Sequence, residues 1–431
     1  MNKKTSALWV GSLLMVAVAA AMAGKRPFCS GDEDREQEGS MVANISPVQS
    51  MGNDIKWTRC FQAADGTIYF EDHRMSRDGG RTVVDQHTID VEDINAAPER
   101  AVLVRDELFY ALDGPTKIIA PGVYTGRAWR STDGLKTIRE EPVSFYVPGG
   151  PLRDPGDGEW YGIYVYRTIL EMPDGTWLMT MYGNFAVDSI FPPDADAQRE
   201  LTYMQRTFIV TSSDKGHTWD YLSTVASPNL GDPVGEGFVE PAITKLDDGR
   251  LLCIMRSGHR FPLYSSWSQD DGRTWSPPMY TGLDRGCDPC LITLQDGRVA
   301  LSWGRRFPEG WSVVTPEGDK GRFEFPGYGY TSLSLSIDGG MTWESHKIME
   351  RSGTCYSTII EVEPGIIFML VDERYCRISL VQNSLEKSQH VFHRGIRLDV
   401  MGGRHYITSI LAKDLYPAPY LITDHFRSPM G

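Results

Sequence analysis

The sequence predicts an all-β chain, a six-bladed β-propeller built from four-stranded antiparallel blades. Three observations predict it. First, the pattern Ser-x-Asp-x-Gly-x-Thr-Trp recurs intact at 212–219, 268–275 and 336–343, with worn copies at 76–83 and 131–138. Repetition at this period marks a repeat architecture. Second, Asp-Gly turns stand between apolar strand-like segments upstream of the copies, at Asp65-Gly66, Asp174-Gly175, Asp248-Gly249 and Asp296-Gly297. Third, the 431 residues include 43 Gly, 26 Pro, 11 Trp and 19 Tyr, a mix of turn formers and aromatics that favours many short strands over a helical bundle. Radial repetition of such sheets is a propeller.

From the N-terminus, Lys3 and Lys4 precede an apolar run from Ala7 to Ala23 that ends Ala21-Met22-Ala23 before Gly24. This reads as a secretory signal peptide over 1–23, with an uncleaved membrane anchor as the alternative. The polar stretch 24–52 reads as a linker. Six units fill 53–400. In each repeat the Asp and Ser side chains hold backbone N–H groups, Gly takes a positive φ, Thr re-enters a strand and Trp packs beneath. Each copy is therefore a turn between two strands and marks one β unit. The sixth unit, Ile359 to Leu370 around Pro364-Gly365, lacks the Trp turn. Residues 401–431 form a C-terminal extension that packs on or closes the propeller.

Composition excludes several function classes. With 41% hydrophobic and 23% charged residues the chain is globular. A net charge of −14, with no Lys/Arg run longer than two, excludes nucleic acid as partner. No HxxxH, HExxH or GxSxG motif and no phosphate-cradling Gly loop is present. Cys287-Asp-Pro-Cys290 has the spacing of half a zinc site but lacks two further ligands. No metal and no cofactor are expected. Seven cysteines leave one unpaired in any disulfide scheme, and Cys253, inside Leu251–Met255, reads as a buried thiol.

In a propeller the first strand of each blade lines the channel, so candidates for chemistry should flank the Asp-Gly hairpins. Glu240 and Arg256 flank the apolar hairpin 241–255, which places a carboxylate and a guanidinium near one mouth. Tyr356-Ser357-Thr358 opens the sixth unit.

The repeat is the Asp-box, and from about residue 53 to 380 the chain resembles the sialidase (neuraminidase) superfamily; the resemblance implies that each copy lies on the rim, between the third and fourth strands of a blade. The resemblance implies a glycoside hydrolase in which Tyr356 is the nucleophile and Glu240 its activating base. A neutral tyrosine is used because a carboxylate nucleophile would be repelled by the carboxylate of sialic acid. It also implies three arginines that clamp the substrate carboxylate. Arg256 matches the second. The first is Arg59 or Arg167, although neither stands in the family's Arg-Ile-Pro segment. The third should precede the Asp-box at 336, where Tyr328-Gly-Tyr330 holds no Arg; Arg305, Arg306 or Arg322 could replace it. The general acid is Asp188 if Arg167 is the first arginine, or Asp72 or Asp85 if it is Arg59.

The resulting expectation is an exported, secreted or periplasmic hydrolase removing a terminal, acidic sugar from extracellular glycans with retention. The glycan is the expected partner, with no membrane contact beyond a possible N-terminal anchor. The competing classes are a non-catalytic glycan- or protein-binding Asp-box propeller, a polysaccharide lyase on the same scaffold, and a glycosidase for neutral sugars.

Overall fold

The computed structural model describes residues 40–51, 59–70, 74–85, 101–150, 162–188, 205–228, 237–257, 262–283, 286–305, 330–350, 356–371, 374–381, 389–393, 396–401 and 404–410. The expected signal peptide, most of the linker, Asp72, Arg306, Arg322 and most of the C-terminal extension lie outside them.

The described chain opens with two short strands, β1 (Val42–Ile45) and β2 (Gln49–Ser50). Strands β3 (Cys60–Gln62), β4 (Ile68–Phe70), β5 (Arg74–Ser76) and β6 (Val84–Asp85) then form an antiparallel sheet in chain order. Two further four-stranded antiparallel runs follow. One is β7 (Ala101–Arg105), β8 (Leu108–Ala120), β9 (Val123–Ser131) and β10 (Arg139–Tyr146). The other is β11 (Ile163–Glu171), β12 (Trp177–Asn184), β13 (Gln205–Ser212) and β14 (Thr218–Ala226). Next come the sheets β15 (Val239–Lys245), β16 (Leu251–Arg256), β17 (Tyr264–Ser268), β18 (Met279–Tyr280), and β19 (Gly286–Thr293), β20 (Val299–Arg305), β21 (Tyr330–Ser336), β22 (Glu344–Glu350). The meander β23 (Ser357–Glu363), β24 (Ile366–Val371), β25 (Arg374–Leu380) is completed by β1 and β2, both antiparallel to β25. Finally β26 (Gln389–His393), β27 (Ile396–Met401) and β28 (Arg404–Ile410) form a separate three-stranded sheet.

Two features depart from independent four-stranded blades. The runs β7–β10 and β11–β14 close into an eight-stranded barrel through parallel pairings, Thr168 with Val102 at one edge and Ser144 with Thr218 at the other. Large buried aromatics fill the space they enclose, among them Tyr110, Tyr124, Phe145, Trp177, Phe208 and Trp219. Val42–Ile45 and Gln49–Ser50, read as linker, are instead the outer strands of the β23–β25 sheet, where Met41 and Val42 join the core with Ile378 and Leu380.

The first strands are neighbours in cyclic order: β3 with β7, β7 with β11, β11 with β15, β15 with β19, β19 with β23, and β23 with β3. The Asp-Gly turns join first to second strands. In each, the Asp carboxylate accepts the backbone N–H two residues on, as Asp248 does from Arg250 at 3.0 Å.

All five repeat copies join a third to a fourth strand, as expected. At 212–219, Ser212 Oγ accepts the Gly216 N–H at 2.8 Å and donates to Asp214 at 2.7 Å. Asp214 accepts the Thr218 N–H at 2.9 Å and the Thr218 hydroxyl at 2.7 Å. The same four bonds recur in the other four copies. Gly80 shows why the fifth position is glycine: its φ is +80° and a Cβ would stand 2.1 Å from the Phe368 ring. Trp219 is fully buried, whereas Trp275 and Trp343 are half-buried. Cys60, Cys253, Cys287, Cys290 and Cys376 are buried thiols, and burial pushes the Cys253 thiol up.

Candidate active site

The site begins with a distortion repeated in three neighbouring first strands. The antiparallel register slips between Val165 and Ile169 in β11, between Val239 and Ala242 in β15, and between Cys287 and Cys290 in β19. Each slip is a bulge, which re-aims a side chain out of the ladder. At each stands a residue other than glycine with positive φ: Arg167 at +57°, Glu240 at +48° and Asp288 at +48°. Such backbone costs on the order of 1 kcal/mol or more per residue and persists where surrounding contacts over-determine it. Three such residues, all charged, converge here.

Their side chains form two linked carboxylate clusters. Glu240 is ion-paired through Oε1 with Arg256 Nη1 and accepts the Asp288 N–H on Oε2 at 2.7 Å. The Tyr356 hydroxyl donates to Glu240 Oε1 at 3.3 Å. Asp288, with no solvent exposure, accepts the Tyr166 hydroxyl on Oδ1 and pairs with Arg167 through Oδ2. Oδ2 also accepts the Ser357 N–H at 2.9 Å, and Arg59 Nη2 lies 3.9 Å from Oδ1. Arg167 Nη1 donates to the Ser357 carbonyl at 2.7 Å. The guanidinium carbons of Arg167 and Arg59 lie 5.2 and 5.7 Å from the Tyr166 ring centre.

Two phenols thus face two carboxylates in different settings. Tyr166 is completely enclosed; burial holds its phenol well above the ordinary range, against the lowering by Arg167. It stays protonated and serves Asp288 as a donor. Tyr356 is half-buried, at the open end of β23. Burial pulls the Arg167 guanidinium down, but Asp288 outweighs it and keeps the group charged.

Of the expected site residues, Tyr356, Glu240, Arg256, Arg167 and Arg59 share this cluster. Arg59 and Arg167, alternatives in the sequence, both reach the same carboxylate. Arg305 instead donates to the Tyr330 hydroxyl at 3.0 Å and stacks over its ring. Asp188 sits in a 3₁₀ turn after β12 and accepts two hydrogen bonds from Arg206, each at 2.6 Å. Asp85 is exposed on the fourth strand β6. Among the described residues no three His, Cys, Asp or Glu side chains gather as metal ligands.

Asp288 and Tyr166 are the site residues that sequence reasoning missed. The signal was present: Glu240-Pro241 and Asp288-Pro289 each stand eight residues before the aspartate of an Asp-Gly turn, at 248 and 296.

Residues 125–369, more than half of the chain, match the family described as BNR repeat-like domain. No curated protein sequence matches the chain. Solved structures that match include a protein of unknown function from Dyadobacter fermentans DSM 18053, at TM-score 0.51 and 16% identity over 77% of this chain and 99% of that one. A Hadza microbial sialidase matches at TM-score 0.49 and 16% identity over 76% and 66%. An alpha-L-arabinanase from Penicillium chrysogenum matches at 0.44 and 15% over 79% and 97%. At these identities the likeness is one of fold. The family match spans four of the five Asp-box turns together with Glu240, Arg256, Asp288 and Tyr356, and the chain belongs to the BNR repeat-like domain family.

Proposed function

We propose that the chain is a glycoside hydrolase on a six-bladed propeller, cleaving a terminal sugar at the cluster around Glu240. The cyclic adjacency of the first strands supports the blade count. The observation that carries the activity is the Tyr356 hydroxyl on Glu240 Oε1, the same oxygen that Arg256 engages.

In this reading Tyr356 Oη attacks the anomeric carbon as Glu240 takes its proton. The glycosidic bond breaks as the general acid protonates the leaving oxygen, and a glycosyl-tyrosine forms; water then attacks the anomeric carbon, giving its proton to the conjugate base of that acid while the departing phenolate regains the proton held on Glu240, with retained configuration. The 3.3 Å contact tightens when substrate fills the mouth. Arg256 anchors the Glu240 carboxylate, which the αL bulge aims. Asp188 remains the candidate general acid only if substrate draws it from Arg206. Export through the segment 1–23, to the periplasm or medium, matches a glycan substrate outside the cell.

A second reading, a glycan-binding propeller without catalysis, is favoured by the internal pairing of the cluster's charges. A panel of 4-nitrophenyl glycosides assayed with wild type, Tyr356→Phe and Glu240→Gln separates the two. The hydrolase reading expects kcat/KM to fall at least ~100-fold in both variants, as for loss of a nucleophile or its base. Turnover by Tyr356→Phe at the wild-type rate overturns the nucleophile assignment. Glycan binding with no turnover of any glycoside selects the binding propeller.

A further inference from the structure

The arginines expected to clamp a substrate carboxylate already hold one that belongs to the chain. Asp288 stands opposite Arg59 and Arg167, fully enclosed, with both oxygens occupied. Arg167 spends both terminal nitrogens on protein acceptors, Nη1 on the Ser357 carbonyl and Nη2 on Asp288. Arg256 directs Nη1 to Glu240. A guanidinium binds a carboxylate strongly by presenting two parallel N–H groups; both terminal nitrogens of Arg167 already donate within the protein, and its Nε, which finds no acceptor, is sealed from solvent.

We propose that Asp288 is a resident counter-anion that sets substrate class: the site takes a neutral terminal sugar and rejects sugar acids. This rests on the glycosidase reading and reverses the charge of sugar expected from the sequence. Three arginines against Glu240 and Asp288 leave one net positive charge in the cluster, within a chain of net charge −14. An incoming carboxylate would meet Asp288 and Glu240 behind the same arginines. It would have to displace Asp288, which is pinned by a bulge, a positive φ and the Ser357 N–H. The built-in anion costs backbone strain, and strain retained at a cleft signals a functional constraint. Asp288 touches no reacting atom in this scheme; it is a positioning and charge-setting residue.

The test compares wild type with Asp288→Asn, a substitution of equal size whose side chain tolerates positive φ. The probes are 4-nitrophenyl glycosides of galactose, glucose and arabinofuranose against those of glucuronic acid and N-acetylneuraminic acid. Calorimetric binding of the free sugars to the full chain accompanies them. Wild type is expected to prefer the best neutral probe over either acid at least 30-fold, in kcat/KM or in affinity. Asp288→Asn, with Arg59 and Arg167 released, is expected to narrow that ratio at least tenfold by gaining affinity for the acids. A mere packing role for Asp288 would weaken both classes together and leave the ratio unchanged, which overturns the proposal. A wild type that binds or cleaves the acids as well as the neutral sugars overturns it without any variant, as does binding of neither class. Failure of the hydrolase reading looks different: no glycoside is cleaved, yet the neutral-over-acid binding ratio and its response to Asp288→Asn persist.

Discussion

Replacing Trp219 with alanine empties a place with no contact with water, between Tyr110 and the Asp-box backbone. Burying a tryptophan removes roughly 150–250 Å² from solvent. At about 25 cal/mol per Å² this is roughly 4–6 kcal/mol, and a partly collapsed unfolded chain trims it to about 3–5 kcal/mol. That agrees with the ~3–5 kcal/mol range of large aromatic truncations in cores. The internal control is Trp275, the same position of the next Asp-box. It is half-buried, and its Nε1 donates at 3.1 Å to the Gly272 carbonyl and at 3.2 Å to Ser223 Oγ. Scaling with burial, Trp275→Ala should cost about 2–3 kcal/mol. At the low end of about 2–4 °C per kcal/mol for larger domains, Trp219→Ala lowers Tm by roughly 6–10 °C and Trp275→Ala by roughly 4–6 °C. Calorimetric scans at one fixed rate measure both, because chains of this size often unfold irreversibly. Glycan binding or turnover per folded molecule should not change. Equal shifts, the reverse order, or lost activity at unchanged Tm would refute the graded, purely structural role of these tryptophans.

The Asp-box carboxylates make stability fall in acid. Burial pushes Asp78 up, but the Thr82 hydroxyl and N–H and the Ser76 hydroxyl outweigh it and bring it to about 2; Asp133, held by the Thr137 N–H and hydroxyl, is also brought to about 2. Because these values lie below the ~3.9 of a free aspartate, their stabilisation is complete above about pH 4 and is lost as pH falls through about 2. A Tm profile from pH 5 to 2 should slope downward and flatten in part with Asp78→Asn; a level profile contradicts this. Gly80→Ala forces a Cβ at φ +80° into Phe368 and should cost about 2–4 kcal/mol in urea unfolding. Gly134→Ala, at φ +69° with nothing within 4 Å, should cost only about 1 kcal/mol, and equal costs would show that the ring contact is unimportant. Arg256→Lys keeps the charge but loses the planar guanidinium whose Nη1 meets Glu240 Oε1; kcat/KM for the best glycoside should drop at least ~10-fold while Tm moves little, and full activity would remove Arg256 from the site.

Where the chemistry is local, the sequence was sufficient. The Asp-box is closed by bonds within five residues, so Ser212, Asp214, Gly216 and Thr218 announce their own turn. Glu240 and Tyr356 were legible because each flanks an apolar hairpin at the start of a first strand. What depends on distant partners was not legible. Nothing near Asp188 says that Arg206, on the next strand, will take its carboxylate. Arg59 and Arg167 looked like alternatives because their common partner, Asp288, is 121 residues beyond Arg167. The depth of each Asp-box tryptophan is likewise a tertiary property: Trp219 lies inside the aromatic barrel, Trp275 beside a thinner layer. The strand β1 read as linker because four residues of modest hydrophobicity carry no hint of β25.

That last pairing has a kinetic consequence. Val42 faces Leu380, and Arg377 N–H reaches back 331 residues to the Ser46 hydroxyl. The β23–β25 sheet is therefore sewn from segments more than 330 residues apart, and its outer strand is made first and used last. During synthesis the early sheets can assemble in order, but β1 must wait without a partner until residue 380 has emerged. Such a span gives a high contact order and a slow closing step. The intermediate carries an unpaired strand and an open edge on β25, the kind of surface that pairs wrongly with another copy. Refolding should accordingly show a late phase reported by the β23–β25 sheet, and yield should fall with chain concentration.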